Sequence, residues 1–264
     1  MRACVVLLAL AVLPAGAGCD AAPAPKPPEA VPAPQPLAVA PESLVKRLEA
    51  MQPAWPRQPD CAHDKCVALT FDDGPGEHTG RLLDILREKG AKATFFVVGQ
   101  MVAAAHGAAT VRRIVAEGHE LGNHSWSHPM LTGLSGQRLA HEIGHTGDLV
   151  RRITGVRMRV MRPPYGATDR AVAEQTRRRG LAQILWNVDT FDWRDRVPAL
   201  VAKRGAHVRP GSIVLMHDIH PTTVKAVPRL LDTLDHRGYS FVTVTELYGD
   251  RLRPGRRYEQ LRRR

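Results

Sequence analysis

Aromatic side chains are scarce in this 264-residue chain: five Phe, four Trp and four Tyr, 5% of the residues. One that stands in a polar stretch, as Trp193 does, therefore calls for a reason beyond filling a core. Cysteine is sparse too. The four, at positions 4, 19, 61 and 66, cannot replace a hydrophobic core with a disulfide scaffold, so the fold must bury one. No long apolar run is present either: the longest opening stretch, residues 3–13, falls well short of the ~20 residues of a membrane-spanning helix. Acidic residues are outnumbered, 26 Asp and Glu against 37 Lys and Arg, for a net charge of +11.

What is there begins with Met1-Arg2, the apolar stretch 3–13 and then small residues, the pattern of an export signal that is cleaved. Ala15-Gly16-Ala17-Gly18-Cys19 resembles a bacterial lipobox without the usual Leu three residues before the cysteine. Cys4 leaves with the signal, and Cys61 and Cys66 are close enough to pair in an oxidising compartment. Cys19 is then the odd thiol, so a lipid anchor there is the expected membrane attachment and the only one. The expected organisation is a signal over 1–19, a Pro/Ala-rich spacer over 20–59 that cannot bury a core, with a brief amphipathic helix at 41–52, one domain over 60–249, and a basic tail over 250–264. The tail carries seven Arg against Asp250 and Glu259. In a cytosolic protein such a tail would suggest nucleic acid; outside a bacterial cell the polyanions are wall polymers and lipid head groups, so an anionic envelope is the expected partner and nucleic acid is not. A monomer, exported and extracellular or held at the envelope, is expected.

The chemistry-bearing residues come in five short segments. Thr70-Phe71-Asp72-Asp73-Gly74-Pro75 sets two carboxylates at the end of an apolar run, just before a Gly-Pro turn. Successive strand residues point to opposite faces, so one Asp can hold a metal while its neighbour serves as a base. In His124-Ser125-Trp126-Ser127-His128 two imidazoles stand four apart; one helical turn would aim both at one point, and two His with Asp73 would leave a fourth zinc position open. The others are Arg162-Pro163-Pro164-Tyr165-Gly166, Asp189-Thr190-Phe191-Asp192-Trp193 and Leu215-Met216-His217-Asp218.

In that order and spacing, the five segments closely resemble the motif series of the polysaccharide deacetylases, carbohydrate esterase family 4 or the NodB homology domain, over roughly residues 67–247. The resemblance implies a metal-dependent hydrolase that removes N-acetyl groups from N-acetylglucosamine polymers. It implies Asp72 as general base and Asp73, His124 and His128 as ligands of a divalent ion, Zn²⁺ first, with Co²⁺, Ni²⁺ or Mn²⁺ acceptable to the same donors. Arg162 would direct the base, the Tyr165 backbone N–H would meet the oxyanion, and Trp193 and Leu215 would wall a slot for the acetyl methyl. His217 would be the general acid, oriented by a carboxylate of the fourth motif, Asp192 or Asp189. The substrate expected first is peptidoglycan, with chitin or chito-oligosaccharides and O-acetyl esters of the xylan type as alternatives. A wall-binding module without activity would be expected to lack Asp72, a ligand or His217, and this chain has them all. His106, His119, His141, His145 and His220 are assigned no role.

Hydrophobic periodicity leads independently to an α/β fold. Short β-branched runs at 67–71, 94–98, 120–122, 158–162, 183–188, 212–216 and 240–244 alternate with helical patterns at 80–89, 111–117, 137–153, 170–179, 197–204 and 222–237. Alternation of this kind predicts parallel strands with helices outside, and every candidate residue falls at or after the C-terminal end of a run. The distorted (β/α)7 barrel implied by the resemblance has as many strands as there are runs.

Overall fold

The computed structural model describes residues 59–262. The expected signal, Cys19, the 41–52 helix and all but the last residue of the spacer lie outside the described residues. The sheet strands are β1 Cys66–Asp72, β2 Thr94–Val97, β3 Glu120–Asn123, β4 Val160–Met161, β5 Ala182–Ile184, β6 Val188–Asp189, β7 Ser212–His217, β8 Ser240–Phe241 and β9 Arg257–Tyr258. Between them run α1 Thr79–Glu88, α2 Gly99–Ala103, α3 Gly107–Ala116, α4 Gly136–Thr154, α5 Arg170–Arg178, α6 Asp192–Asp195, α7 Pro198–Gly205, α8 Pro221–Asp235 and α9 Val244–Tyr248. The strands form one curled sheet in the order β6-β7-β1-β2-β3-β4-β5-β9, with β8 beside β1, and every strand pair is parallel. Cys61 and Cys66 are joined by a disulfide. Among the described residues no helix is long and apolar enough to cross a membrane.

All seven residues of β1 are buried, as a central parallel strand covered on both faces requires. The period of two sorts them. Val67, Leu69 and Phe71 join the layer beneath the helices with Leu82, Leu86, Val214 and Leu230. Cys66 and Ala68 face the barrel interior with Phe96, Val160, Ile184 and Ile213. By the same alternation Thr70 and Asp72 face the interior too. The register of β1 on β7 sets Asp72 opposite His217, so two candidate residues end neighbouring strands side by side.

Three expectations are corrected. Residues 183–188 form two short strands rather than one, because the carbonyls of Ile184 and Leu185 turn to Arg162. The last run stops at Phe241; Thr243 then caps α9, its hydroxyl taking the Glu246 N–H while the Glu246 carboxylate takes the Thr243 N–H. The segment set apart from 250 onward as a tail is part of the sheet: β9 pairs with β5 and the Leu261 N–H bonds to the Gly211 carbonyl. Leu252 and Leu261 are buried, so apolar burial outweighs the charge of the arginines between them.

Candidate active site

The site forms where β1, β3, β4, β6 and β7 end. Asp72 is buried, and its Oδ1 accepts from Arg162 Nη1 at 2.7 Å. Arg162 is wholly buried inside the barrel and gives three further N–H groups to the Thr70 hydroxyl and the Ile184 and Leu185 carbonyls, its guanidinium lying 4.3 Å over the Phe96 ring. A buried charge held this way has both a counter-charge and satisfied donors, the condition for tolerating its desolvation. Asp72 Oδ2 is left facing the cavity, 3.7 Å from His124 Nε2.

The next residue leaves the strand direction: Asp73 has φ 71°, and its carboxylate turns toward the two imidazoles. Its Oδ1 lies 3.4 Å from His124 Nε2 and 3.3 Å from His128 Nε2. His124 Nδ1 donates to the Arg162 carbonyl at 2.7 Å, so its Nε2 is the free nitrogen. The expected helical turn between the two His is absent. Ser125 and His128 both have positive φ, at 66° and 59°, and the rings converge to 4.9 Å through a loop. The Asn123 side chain takes the Ser125 N–H, and the Ser125 hydroxyl takes the His128 N–H. Behind this loop Gly122 faces Phe96, whose nearest ring atom stands 2.4 Å from where a Cβ would be, so any side chain there would displace the ring on which the Arg162 guanidinium lies.

These three residues fit a divalent cation. One carboxylate and two imidazole donor atoms lie within 4.8 Å of one another, and Asp73 Oδ1 is buried with no hydrogen-bond donor of its own, an arrangement that a bound cation would complete. Burial acts to raise the Asp73 carboxyl, but the imidazoles of His124, His217 and His128 around it outweigh burial and bring it down to about 2.

Opposite the ligands stands His217. Its Nδ1 is 2.9 Å from Asp192 Oδ1, while Asp192 Oδ2 accepts the His217 backbone N–H at 2.7 Å and the Thr223 hydroxyl at 2.7 Å. Asp189 instead turns back to cap its own loop, taking the Phe191 N–H at 2.7 Å. Of the two carboxylates left open by the sequence, Asp192 is the one on the imidazole. His217 Nε2 points into the site, 4.0 Å from Asp73 Oδ2. The cavity between is about 420 Å³ and is lined also by Pro163, Tyr165, Trp186, Asp189, Trp193 and Leu215. Leu215 is buried, Trp193 is half-exposed at the rim, and the exposed Tyr165 packs its ring edge-on against His128. The Tyr165 N–H takes no part in the two hydrogen bonds of its turn, which run from Gly166 to Pro163 and from Ala167 to Pro164.

Sequence reasoning missed Thr70, Thr223, Trp186 and Glu142. It quoted Asp218 without a role, yet this carboxyl is buried, takes the Thr79 hydroxyl and is pushed up to about 7 by burial. The nearest available signal was position: Thr70 and Asp218 lie within the quoted segments.

The His217–Asp192 pair gives a pH signature. Burial alone would lower His217, but the hydrogen bond and charge of Asp192, with Asp72 and Asp73 beyond, raise it to about 9. Burial would likewise raise Asp192, and the bonds from His217 and Thr223 bring it below its usual value. A histidine raised above its unfolded value of about 6.5 contributes stability in full below that pH, and the contribution is lost as pH climbs through 9. The metal-free protein should therefore lose on the order of 3 kcal/mol between pH 6.5 and 9.5. Asp192→Asn should abolish most of that slope in urea unfolding; an unchanged slope would mean that the pair is not its source.

A family model described as polysaccharide deacetylase matches residues 60–184. The peptidoglycan-N-acetylglucosamine deacetylase PgdA of Listeria monocytogenes is 42% identical over 236 residues, 89% of this chain and 50% of that protein, so the chain spans about half the length of this relative. A chitin deacetylase of Colletotrichum lindemuthianum is 38% identical over 203 residues, 72% of this chain and 82% of the fungal protein. Among solved structures, one described as T48 deacetylase with substrate superposes with a TM-score of 0.73 at 42% identity, covering 76% of this chain and all of that one.

Proposed function

The chain belongs to the polysaccharide deacetylase family, and from that premise we propose that it hydrolyses the N-acetyl groups of an N-acetylglucosamine polymer, peptidoglycan first. The observation that carries the reading is the convergence on one cavity of a ligand triad, a carboxylate tied to a buried arginine and an Asp-oriented imidazole.

A divalent cation held by Asp73, His124 and His128, Zn²⁺ by preference, would polarise the acetamido carbonyl and acidify a water. Asp72 then removes the proton of the attacking water with Oδ2, while Oδ1 stays on Arg162 and fixes the carboxylate's direction. The Tyr165 N–H donates to the oxyanion as it develops. His217, its Nδ1 proton held by Asp192, delivers a proton from Nε2 to the departing nitrogen. Leu215 and Trp193 would hold the acetyl methyl. The C–N bond breaks, leaving acetate and a free amine.

Peptidoglycan is favoured by the name of the Listeria relative; the fungal relative favours chitin as second reading. The test is acetate release by the metal-reconstituted full chain from peptidoglycan, chito-oligosaccharides and an O-acetylated xylan in parallel. Release from peptidoglycan above the others supports the proposal. Faster release from chito-oligosaccharides moves the substrate, and release from xylan alone would replace amidase by esterase chemistry.

Export, the signal and the Cys19 anchor remain part of the proposal, as does a monomeric state. Retention on an anionic envelope is supported by a surface other than the tail. Lys203, His207, Arg209, Arg229 and Arg237 line one cleft of about 750 Å³ between α7 and α8 that no carboxylate lines. It flanks the start of β7, at the end of the strand opposite His217, so an anionic polymer lying there would leave the active cavity open.

A further inference from the structure

The loop that carries His128 has almost no regular structure of its own, yet four of its backbone groups are held by two outside elements. From one side the N-terminus of α2 takes its carbonyls: Gly99 N–H donates to Ser125 O at 3.0 Å and Gln100 N–H to Trp126 O at 2.9 Å. From the other, Glu142 on α4 takes its donors. Glu142 Oε2 accepts both the Trp126 and Ser127 N–H groups at 2.9 Å, and Oε1 accepts the Ser127 hydroxyl at 2.8 Å. The Trp126 ring between these contacts lies 4.2 Å from the His145 ring, tilted at 48° to it, with His141 edge-on at 6.5 Å. On its far side Gly99 leaves no room: a Cβ there would stand 2.3 Å from the indole.

Two successive N–H groups converging on one carboxylate oxygen fix the backbone orientation immediately before His128. That residue sits at φ 59°, an angle that L side chains rarely adopt unless the surroundings impose it. We propose that Glu142 is a positioning residue for the metal centre, clamping the 125–128 loop from α4 so that the His128 ring is presented to the cation already oriented. The inference rests on the metal-site reading above. Glu142 touches neither the three ligands nor the cavity, so its effect would fall on how tightly the cation is held rather than on the chemistry of the bound substrate.

The geometry also sets which replacement is harmless. In Glu142→Gln the amide oxygen can occupy the Oε2 place and keep both N–H bonds, while the amide nitrogen donates to the Ser127 hydroxyl, which is a competent acceptor. In Glu142→Ala both N–H groups lose their acceptor. Ser127→Ala removes only the hydroxyl bond.

The test is the zinc dissociation constant of the full chain, measured by competition with a chromophoric chelator, with metal-free melting temperatures recorded alongside so that loss of fold is read separately. Glu142→Ala should weaken zinc binding by about 10- to 100-fold, with kcat at saturating zinc close to wild type. Glu142→Gln and Ser127→Ala should stay within about threefold of wild type. Wild-type zinc affinity in Glu142→Ala would overturn the clamp, as would a Gln variant as damaged as the Ala variant. Failure of the wild-type chain itself to bind zinc would overturn the metal reading beneath it, a result distinguishable from both.

Discussion

Asp72→Asn should lower acetate release by about 10²- to 10⁴-fold, the range that a positioned general base contributes, while leaving zinc affinity nearly intact. The asymmetry of the two carboxylate oxygens is the reason. Oδ1 receives Arg162 Nη1 at 2.7 Å, and Asn must place its carbonyl oxygen there, because its NH₂ against a guanidinium would oppose two donors. The NH₂ then occupies the Oδ2 place facing the cavity, where it can accept no proton. Asp73, with its own partners in His124 and His128, is untouched. Acetate production in a coupled assay and zinc titration of the same sample separate the two effects. A variant retaining more than a tenth of wild-type activity would remove Asp72 from the role of base, and one that lost zinc would make it a ligand instead.

Much of this site was legible because its residues sit at strand ends, and strand ends are where an apolar run stops. Asp72 and His217 close β1 and β7, and their pairing across the sheet follows once both runs are taken as parallel neighbours. The His124–His128 geometry was not legible. The spacing of four suggested a helical turn, whereas Asn123, Glu142 and the start of α2 hold the segment as a loop; Glu142 lies sixteen residues from Trp126, and no local pattern encodes that contact. The choice between Asp189 and Asp192 was equally hidden. It is made by Phe191, whose φ of 53° turns the chain into α6 and carries Asp192 back beneath His217. The closing strand was missed for a different reason: arginines dominate 250–264, and composition speaks louder than the spacing of Leu252, Tyr258 and Leu261, whose packing closes the sheet on β5 and Gly211.

Arg162→Met should destabilise the protein by about 3–5 kcal/mol, the cost of stripping one partner from a buried ion pair, and should abolish turnover as well. Met matches the length of the side chain but offers nothing to Asp72, which stays buried without its counter-charge, nor to the Thr70 hydroxyl and the Ile184 and Leu185 carbonyls now left in the barrel interior. Arg162→Lys should recover only part of this, since one ammonium cannot span four acceptors laid out for a planar fork. If the cost arises chiefly from the stranded carboxylate, Asp72→Asn in the Arg162→Met background should restore part of the lost stability, giving a coupling energy of the order of 1–3 kcal/mol in a double-mutant cycle. Urea unfolding followed by tryptophan fluorescence measures all four corners, and Trp186, which lies 5.4 Å from the guanidinium, reports on the barrel interior directly. Strict additivity would mean that Arg162 stabilises the fold through its carbonyl and ring contacts rather than through Asp72. The loss of activity would then be traced to the turn over residues 164–166, which follows Arg162 directly and presents Tyr165.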